Sequence, residues 1–383
     1  MEFTSEHDQF RKVVRSFIEN EINPYVDEWE AARIFPAHEL FLKLAAIGAF
    51  GLEYDEAYGG QGADHSYTLI LMEELGGACN CAGVPMAISV QASMATPALH
   101  RFGSHELKMT YLKPAMEGTQ VCAVAVSEPD AGSDVASIRT KATRDGDDWV
   151  INGRKMWITS GTQADWICTL VRTSDEGGFA GMSQIIVPTN APGFSIGRKI
   201  EKMGNHSSDT AELIFDDCRV PVSNTIGEVG RGFQQQMAQF QDERLVAAYM
   251  SGMGAKRALE KTIEYLRIRE AFGKPLLANQ YLQYTLAELI AKVDMQIVYN
   301  RACADKMVAG EDVTRMATIA KLNVGKLARE VADVVVQYHG GMGYAEENWP
   351  ARYARDTRLV AIGGGADEVM LRILSMLEGM GKR

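Results

Sequence analysis

The sequence predicts a mainly α protein with a β-domain in its middle: N-terminal helices, then a barrel-like sheet, then a C-terminal four-helix bundle. Three observations predict it. Apolar residues recur at three- and four-residue spacing up to about residue 120. Short alternating runs, divided by Gly, Asn, Asp and Pro, then take over. After "GEVGRGF" the helical spacing returns and persists to the end. The domains so defined are 1–120, 121–232 and 233–383.

The elements follow in order. "SEHDQFRKVVRSFIENEI" is an amphipathic helix with Ser5 and Asp8 as early caps, and "EYDEAYGGQGADHS" is a turn-rich connection. "YTLILMEELGG" and "GVPMAISVQASMATPALHRFG" resume the helical period, with Gly76, Gly77 and Gly103 marking ends. "QVCAVAVSEPDAGSD", "DWVINGRKMWITSG", "DWICTLVRT", "MSQIIVPT", "FSIGRKI" and "AELIFDDCRV" read as strands, with Asn152-Gly153 as a hairpin signal. Helical segments near 233–271, 280–309, 313–338 and 366–380, joined by short connections, make the antiparallel bundle.

Composition narrows the function. A chain of 383 residues with 46% hydrophobic and 23% charged residues is an ordinary globular protein, and no apolar run approaches the ~20 residues of a membrane span. The N-terminus lacks the layout of a secretory signal or a transit peptide, so a cytoplasmic location is expected. A net charge of −11 argues against nucleic acid as the main partner. The six cysteines form no CxxC pair and have no histidine at ligand spacing; they read as reduced packing thiols, and no metal is expected.

Several motifs are decoys. "GFSIG" matches a serine-hydrolase pattern but has no strand before it and helix after it to make the sharp turn that chemistry needs. "GMG" at Gly252 and "GMGY" at Gly341 lack the third glycine of a dinucleotide fingerprint. "AVSEPDAGSDVAS", Ala125 to Ser137, is different: it breaks a strand with a polar turn rich in N–H groups and hydroxyls, suited to a phosphate or a flavin edge.

That segment, then "NGRKMWITSG", "NHSSDTAELIFDDCRVP" and "QYHGGMGYAEENWPARYARD", in this order over essentially the whole chain, resembles the acyl-CoA dehydrogenase family of flavoproteins. The second family signature is matched by Gln337, Gly340, Gly341, Gly343, Tyr344, Glu347, Arg352 and Asp356. Asp55 stands where a proline is usual, and His206 where an arginine is common. The resemblance implies a tetramer built from dimers, with FAD between the β-domain of one subunit and the bundle of its neighbour. It implies that Val126, Ser127, Trp157 and Thr159 line the isoalloxazine ring and that Ser133 faces the phosphates. Arg269, Phe272, Gln280, Gln337, Gly340 and Gly341 would hold the adenine half, with Ala366 and Glu368 also on the cofactor. Ser133, Gln241, Arg244, Gly364 and Gly365 would contact the acyl-CoA. Electrons would pass to an electron-transferring flavoprotein.

Family members remove an α-proton with a carboxylate while the β-hydride moves to the flavin. In many members the carboxylate lies in the loop before the last helix, and in "RLVAIGGGADEVML" that position is Gly364. Glu243 in "FQDERLVAA" stands where the isovaleryl-CoA and long-chain branches place their base. Asp242 is the rival, turned away by about 100° on the helix. Substrate burial is expected to raise the Glu243 pKa. Gly363 and Gly364 leave space for a methyl at C3, and both chain ends are similar to citronellyl-CoA dehydrogenases. Two alternatives are an enoyl-CoA reductase resembling crotonobetainyl-CoA reductases and a flavin or acyl-CoA binding protein without turnover.

Overall fold

The computed structural model describes residues 1–380. The N-terminal part holds α1 (Ser5–Phe17), α2 (Val26–Ala32), α3 (Ala37–Ala46), α4 (His65–Ala78), α5 (Gly83–Ser93), α6 (Pro97–Phe102) and the short α7 (His105–Leu107) and α8 (Lys113–Met116). The cap of α1 is Thr4 rather than Ser5 or Asp8: its extended backbone lets the hydroxyl accept from the His7 N–H, while the His7 ring accepts from the Thr4 N–H. Ser5 and Asp8 already lie inside the helix. Gly76 and Gly77 do not end α4 either. A Cβ at Gly76 would fall 2.0 Å from the Met250 carbonyl oxygen, so this glycine lets two helices approach closely. Gly103 does follow the last residue of α6.

The middle part is one seven-stranded sheet of β1 (Cys122–Ala125), β2 (Lys141–Asp145), β3 (Asp148–Thr159), β4 (Trp166–Arg172), β5 (Met182–Pro188), β6 (Phe194–Lys199) and β7 (Thr210–Pro221). Its order is β1-β4-β2-β3-β7-β6, with β5 on β4. Among the described residues no ladder joins β6 back to β1, so the barrel-like sheet is curled and open. Asn152-Gly153 is not a turn. Both residues lie within β3, and Gly153 sits at a register shift against β7, where a Cβ would fall 2.5 Å from Thr140 Oγ1. The hairpin turns instead at Gly146, whose φ is +63°, between the paired Asp145 and Asp148.

The C-terminal part begins with α9 (Gly232–Ile268), followed by the two-residue strands β8 (Glu270–Ala271) and β9 (Lys274–Pro275). It continues with α10 (Gln280–Val308), α11 (Thr314–His339), α12 (Gly341–Tyr344), α13 (Trp349–Thr357) and α14 (Asp367–Leu377). One hydrophobic core runs from α1 through the sheet to Leu245 and Val246 of α9; a second, around Leu259, Leu286 and Val331, fills the far half of the bundle. With 37 residues α9 is about 55 Å long and belongs to both cores. All six cysteines are buried free thiols, Cys79 and Cys81 having their sulfurs 3.8 Å apart. No described helix is long and apolar enough to cross a membrane.

Candidate active site

Three consecutive buried residues of α9 point three ways, because successive helix positions turn by about 100°. Asp242 faces the N-terminal helices, where Arg101 donates to its Oδ2 at 2.6 Å. Arg244 lies close enough to Lys321 of α11 to bear on its charge. Glu243 faces the sheet. Its charge acts on the Cys168 thiol of β4, which stands level with Val124 of β1. Through Gln236, which also accepts from Gln184 of β5, Glu243 is linked to the sheet.

The surroundings of Glu243 are amides. Gln239 and Gln236, one and two turns earlier on α9, donate to its Oε1 at 3.2 and 3.4 Å. Gln239 also donates to the Met94 carbonyl, and Gln184 of β5 donates to Gln236 Oε1 at 2.9 Å. Burial pushes the Glu243 carboxyl up to about 8, against the amide donors and the Arg244 charge, which favour ionisation. The rise expected in the substrate complex is therefore present in the chain by itself. Gln184 Oε1, Gln239 Oε1 and Arg244 Nε are buried and have no partner among the described residues. Such atoms are rare in folded proteins, and they fit a ligand that brings its own polar groups. Gln241 is half-buried and accepts from Arg244 at 3.3 Å.

On the α11 side, Lys321 reaches the loop before α14. Its ammonium donates to the carbonyls of Val360 at 2.6 Å and Gly365 at 2.9 Å. Gly364 and Gly365 have φ of +63° and +104°, a region that favours glycine. A Cβ at Gly364 would meet nothing nearer than Lys321 Cε at 3.8 Å, so the space beside it is open. Ala366 is the N-cap of α14, and Glu368 lies exposed in its first turn.

Val126, Ser127, Trp157 and Thr159 come together where the end of β1 meets β3, the Met156 N–H donating to the Ser127 carbonyl at 2.9 Å. Trp157 is 61% exposed with φ +67°, at a second bulge of β3 between Lys155 and Ile158. A large aromatic held in water on a left-handed backbone is strained, and strain of this kind gathers at ligand sites. Beneath it the fully buried Lys155 donates to the Val126 carbonyl at 2.8 Å and to Glu128 at 2.9 Å. Carbonyl and amide of one trans peptide point opposite ways, so the Ser127 N–H is turned away from Lys155; it bonds to nothing among the described residues. An exposed indole beside an outward N–H fits the flat, mixed-polarity rim of a flavin. Ser133 is exposed in the adjoining turn.

Arg269, Phe272 and Gln280, in and after the α9–α10 connection, are exposed, as are Gln337, Gly340 and Gly341 at the end of α11. Tyr265 stacked on His339 at 4.2 Å joins the ends of the two helices. Arg269 is 26 residues beyond Glu243, about 39 Å along the helix, so this group lies far from Glu243 within one chain.

A polar cavity of about 170 Å³ on another face of α9 is lined by Glu53, His65, Arg101 and Asp242 among others. His65 bonds Glu53 at 2.9 Å and Arg101 bonds Asp242, so these charges neutralise one another away from Glu243. Ser195 of "GFSIG" lies on exposed β6, as a strand residue. His206 is buried with its ring on the Lys202 and Met203 carbonyls. No group of three potential metal ligands occurs among the described residues. Sequence reasoning missed Gln236, Gln239, Glu128, Lys155 and Lys321. Glu128 and Lys155 lie within the motif segments, but nothing in the chain says that residues 27 apart pair.

Family models match three stretches: "Acyl-CoA dehydrogenase, N-terminal domain" over residues 4–119, "Acyl-CoA dehydrogenase, middle domain" over 123–218 and "Acyl-CoA dehydrogenase, C-terminal domain" over 230–377. A probable acyl-CoA dehydrogenase, YngJ, of Bacillus subtilis is 34% identical over 98% of both chains. An acryloyl-CoA reductase (NADH) of Anaerotignum propionicum is 34% identical over 96% of this chain and 92% of its own. Among solved structures, a putative acyl-CoA dehydrogenase from Mycobacterium smegmatis superposes with a TM-score of 0.96, at 39% identity over 99% of each chain.

Proposed function

The chain belongs to the acyl-CoA dehydrogenase family, FAD-dependent oxidoreductases that turn acyl-CoA thioesters into enoyl-CoA, and from that premise we propose that Glu243 is its base and a 3-methyl-branched acyl-CoA, such as citronellyl-CoA, its substrate. The observation that carries this reading is a buried carboxylate on α9, linked to the sheet through Gln236 and Gln184, in a chain whose loop position 364 is glycine.

When bound, FAD supplies a hydride acceptor for the β-carbon. The protein does the rest. Val126, Ser127, Trp157 and Thr159 hold the flavin ring, Ser133 the phosphates, and Ala366 and Glu368 the chain between. Glu243 takes the α-proton onto its carboxylate, and a dry pocket that raises its pKa lets it keep that proton. The free N–H groups of the glycine loop donate to the thioester oxygen, so enolate charge is met as it develops. Arg244 and Gln241 border the thioester. The open space at Gly364 takes the C3 methyl. Arg269, Phe272, Gln280, Gln337, Gly340 and Gly341 serve the adenine half in a neighbouring subunit of a homotetramer, since they lie far along the bundle from Glu243 in their own chain. An electron-transferring flavoprotein is the acceptor.

The test is anaerobic mixing of the yellow protein with citronellyl-CoA and with a straight-chain acyl-CoA, wild type beside Glu243→Gln. Wild type is expected to bleach faster with the branched substrate, and the variant to keep FAD while its rate falls about 10²–10⁴-fold, the share typical of acid–base catalysis. Equal bleaching of both proteins refutes Glu243 as base; preference for the straight chain refutes the branched substrate.

One observation favours a second reading. With a pKa of about 8, Glu243 is mostly protonated at neutral pH and poised to donate a proton, as an enoyl-CoA reductase requires. The acryloyl-CoA reductase similarity is compatible with that direction. Turnover of enoyl-CoA with a reduced donor, faster than dehydrogenation, would select it.

A further inference from the structure

Lys321 lies two turns into α11 with no exposed surface. A buried ammonium is normally paired with a carboxylate. Here the bonded groups are two backbone carbonyls, Val360 at 2.6 Å and Gly365 at 2.9 Å. Asp367, the acid nearest in effect, is hydrogen-bonded to Arg329 at 2.7 Å, and Arg244, the other charge acting on Lys321, has the same sign.

The two carbonyls belong to the two ends of one loop. Val360 is in the 3₁₀ turn Arg358–Ala361, and Gly365 comes two residues before α14. Between them stand glycines that bring no side chains to anchor the chain and that carry the largest conformational freedom of any residue. The N–H groups of Gly364, Gly365 and Ala366 bond to nothing among the described residues. Drawing the Gly365 carbonyl down onto α11 turns the Ala366 N–H, in the same trans peptide, to the opposite side. Leu359 accepts from the Ile362 and Gly363 N–H groups at the loop's start, and Lys321 ties its two ends, with the donors of its last three residues left free.

We propose that Lys321 is a positioning residue for the reaction: by bonding both ends of the glycine loop it holds the loop's free N–H groups in place for the thioester oxygen, and its charge lies beneath the enolate that forms there. This rests on the reading of the loop as the thioester contact given above.

The experiment uses acetoacetyl-CoA, whose enolate absorbs in the ultraviolet, titrated against pH on the FAD-loaded protein. An alkyl-CoA thioether without the carbonyl serves as the control ligand. Lys321→Met removes the charge and both bonds while keeping an apolar stem; Lys321→Gln keeps one neutral donor. Wild type is expected to lower the ionisation pH of the bound ligand. Lys321→Met should raise it again by about one unit, a tenfold loss of enolate binding, with thioether affinity within twofold and FAD content unchanged. Lys321→Gln should fall between. Unchanged ionisation in both variants overturns the proposal, as does a parallel loss of thioether affinity, which would make Lys321 merely structural. If Lys321→Met does not accumulate as holoprotein, the glutamine variant decides by the same criteria. Failure of wild type itself to shift the enolate overturns the thioester reading of the loop, and the lysine proposal with it.

Discussion

Glu243 owes its chemistry to what surrounds it. Burial raises its carboxyl to about 8, and the two glutamine amides temper that rise without removing it. If it is the base, the reductive half-reaction measured as kcat/KM should climb with pH and level off above about 8, because only the ionised form accepts the α-proton. The same shift acts on stability with opposite benefit. Between the ordinary carboxylate range and pH 8 the unfolded chain has released this proton and the folded chain has not, so folding loses stability as pH rises through that window. Glu243→Gln removes the loss. Its melting temperature should exceed that of wild type by a margin that grows from about pH 5 to pH 8 and then stays constant; a constant margin throughout would mean that the carboxyl is not perturbed.

At the scale of the element, β3 is shaped by two bulges, one at Gly153 and one that lifts Trp157 into solvent. The second is held from below by Lys155, whose partner Glu128 also accepts the Arg139 and Thr140 N–H groups at 2.6 and 2.9 Å. Lys155→Met leaves a buried carboxylate without its cation and should cost about 3–5 kcal/mol in urea unfolding, with loss of FAD. Adding Glu128→Gln should restore part of that stability but not the FAD, because the Val126 carbonyl is still unheld. Recovery of both together would show that the pair supports the sheet and has no part in orienting the β1 end.

At the scale of the molecule, α9 is the shared axis. Its first half carries Glu243 between the helical domain and the sheet, and its far end leads to Arg269 and Phe272 some 39 Å away. Ile268, Phe272, Tyr281 and Tyr284 leave large apolar surface exposed around this end. Patches of this kind mark interaction surfaces. We expect Phe272→Asp to weaken self-association in sedimentation and to make FAD retention fall on dilution, while the melting of the isolated chain changes little, since the side chain contacts nothing within it. An unchanged sedimentation coefficient would refute a partner-supplied adenine site.

Much of the architecture was legible in the chain, because periodicity is a local property: alternation marks strands, three- and four-residue spacing marks helices, and both were visible without a partner. Single glycines were less legible. Gly76 and Gly153 resemble turn residues in sequence, yet each is present because another segment passes within the reach of a missing Cβ. The site divides in the same way. Position 364 as the glycine in place of a base, and Glu243 on the first bundle helix as its replacement, can be named only through the resemblance to the family, since an isolated helix glutamate reads as a solvated carboxylate. The direction of Glu243, its raised pKa, and the buried lysines that hold Val126 and the glycine loop depend on residues far apart in sequence. Residue identity therefore determined which groups are available and which helix or strand carries them. Only tertiary packing decided which are dry, which are paired and which way they face, because burial and hydrogen bonding are properties of neighbours that the chain does not place side by side.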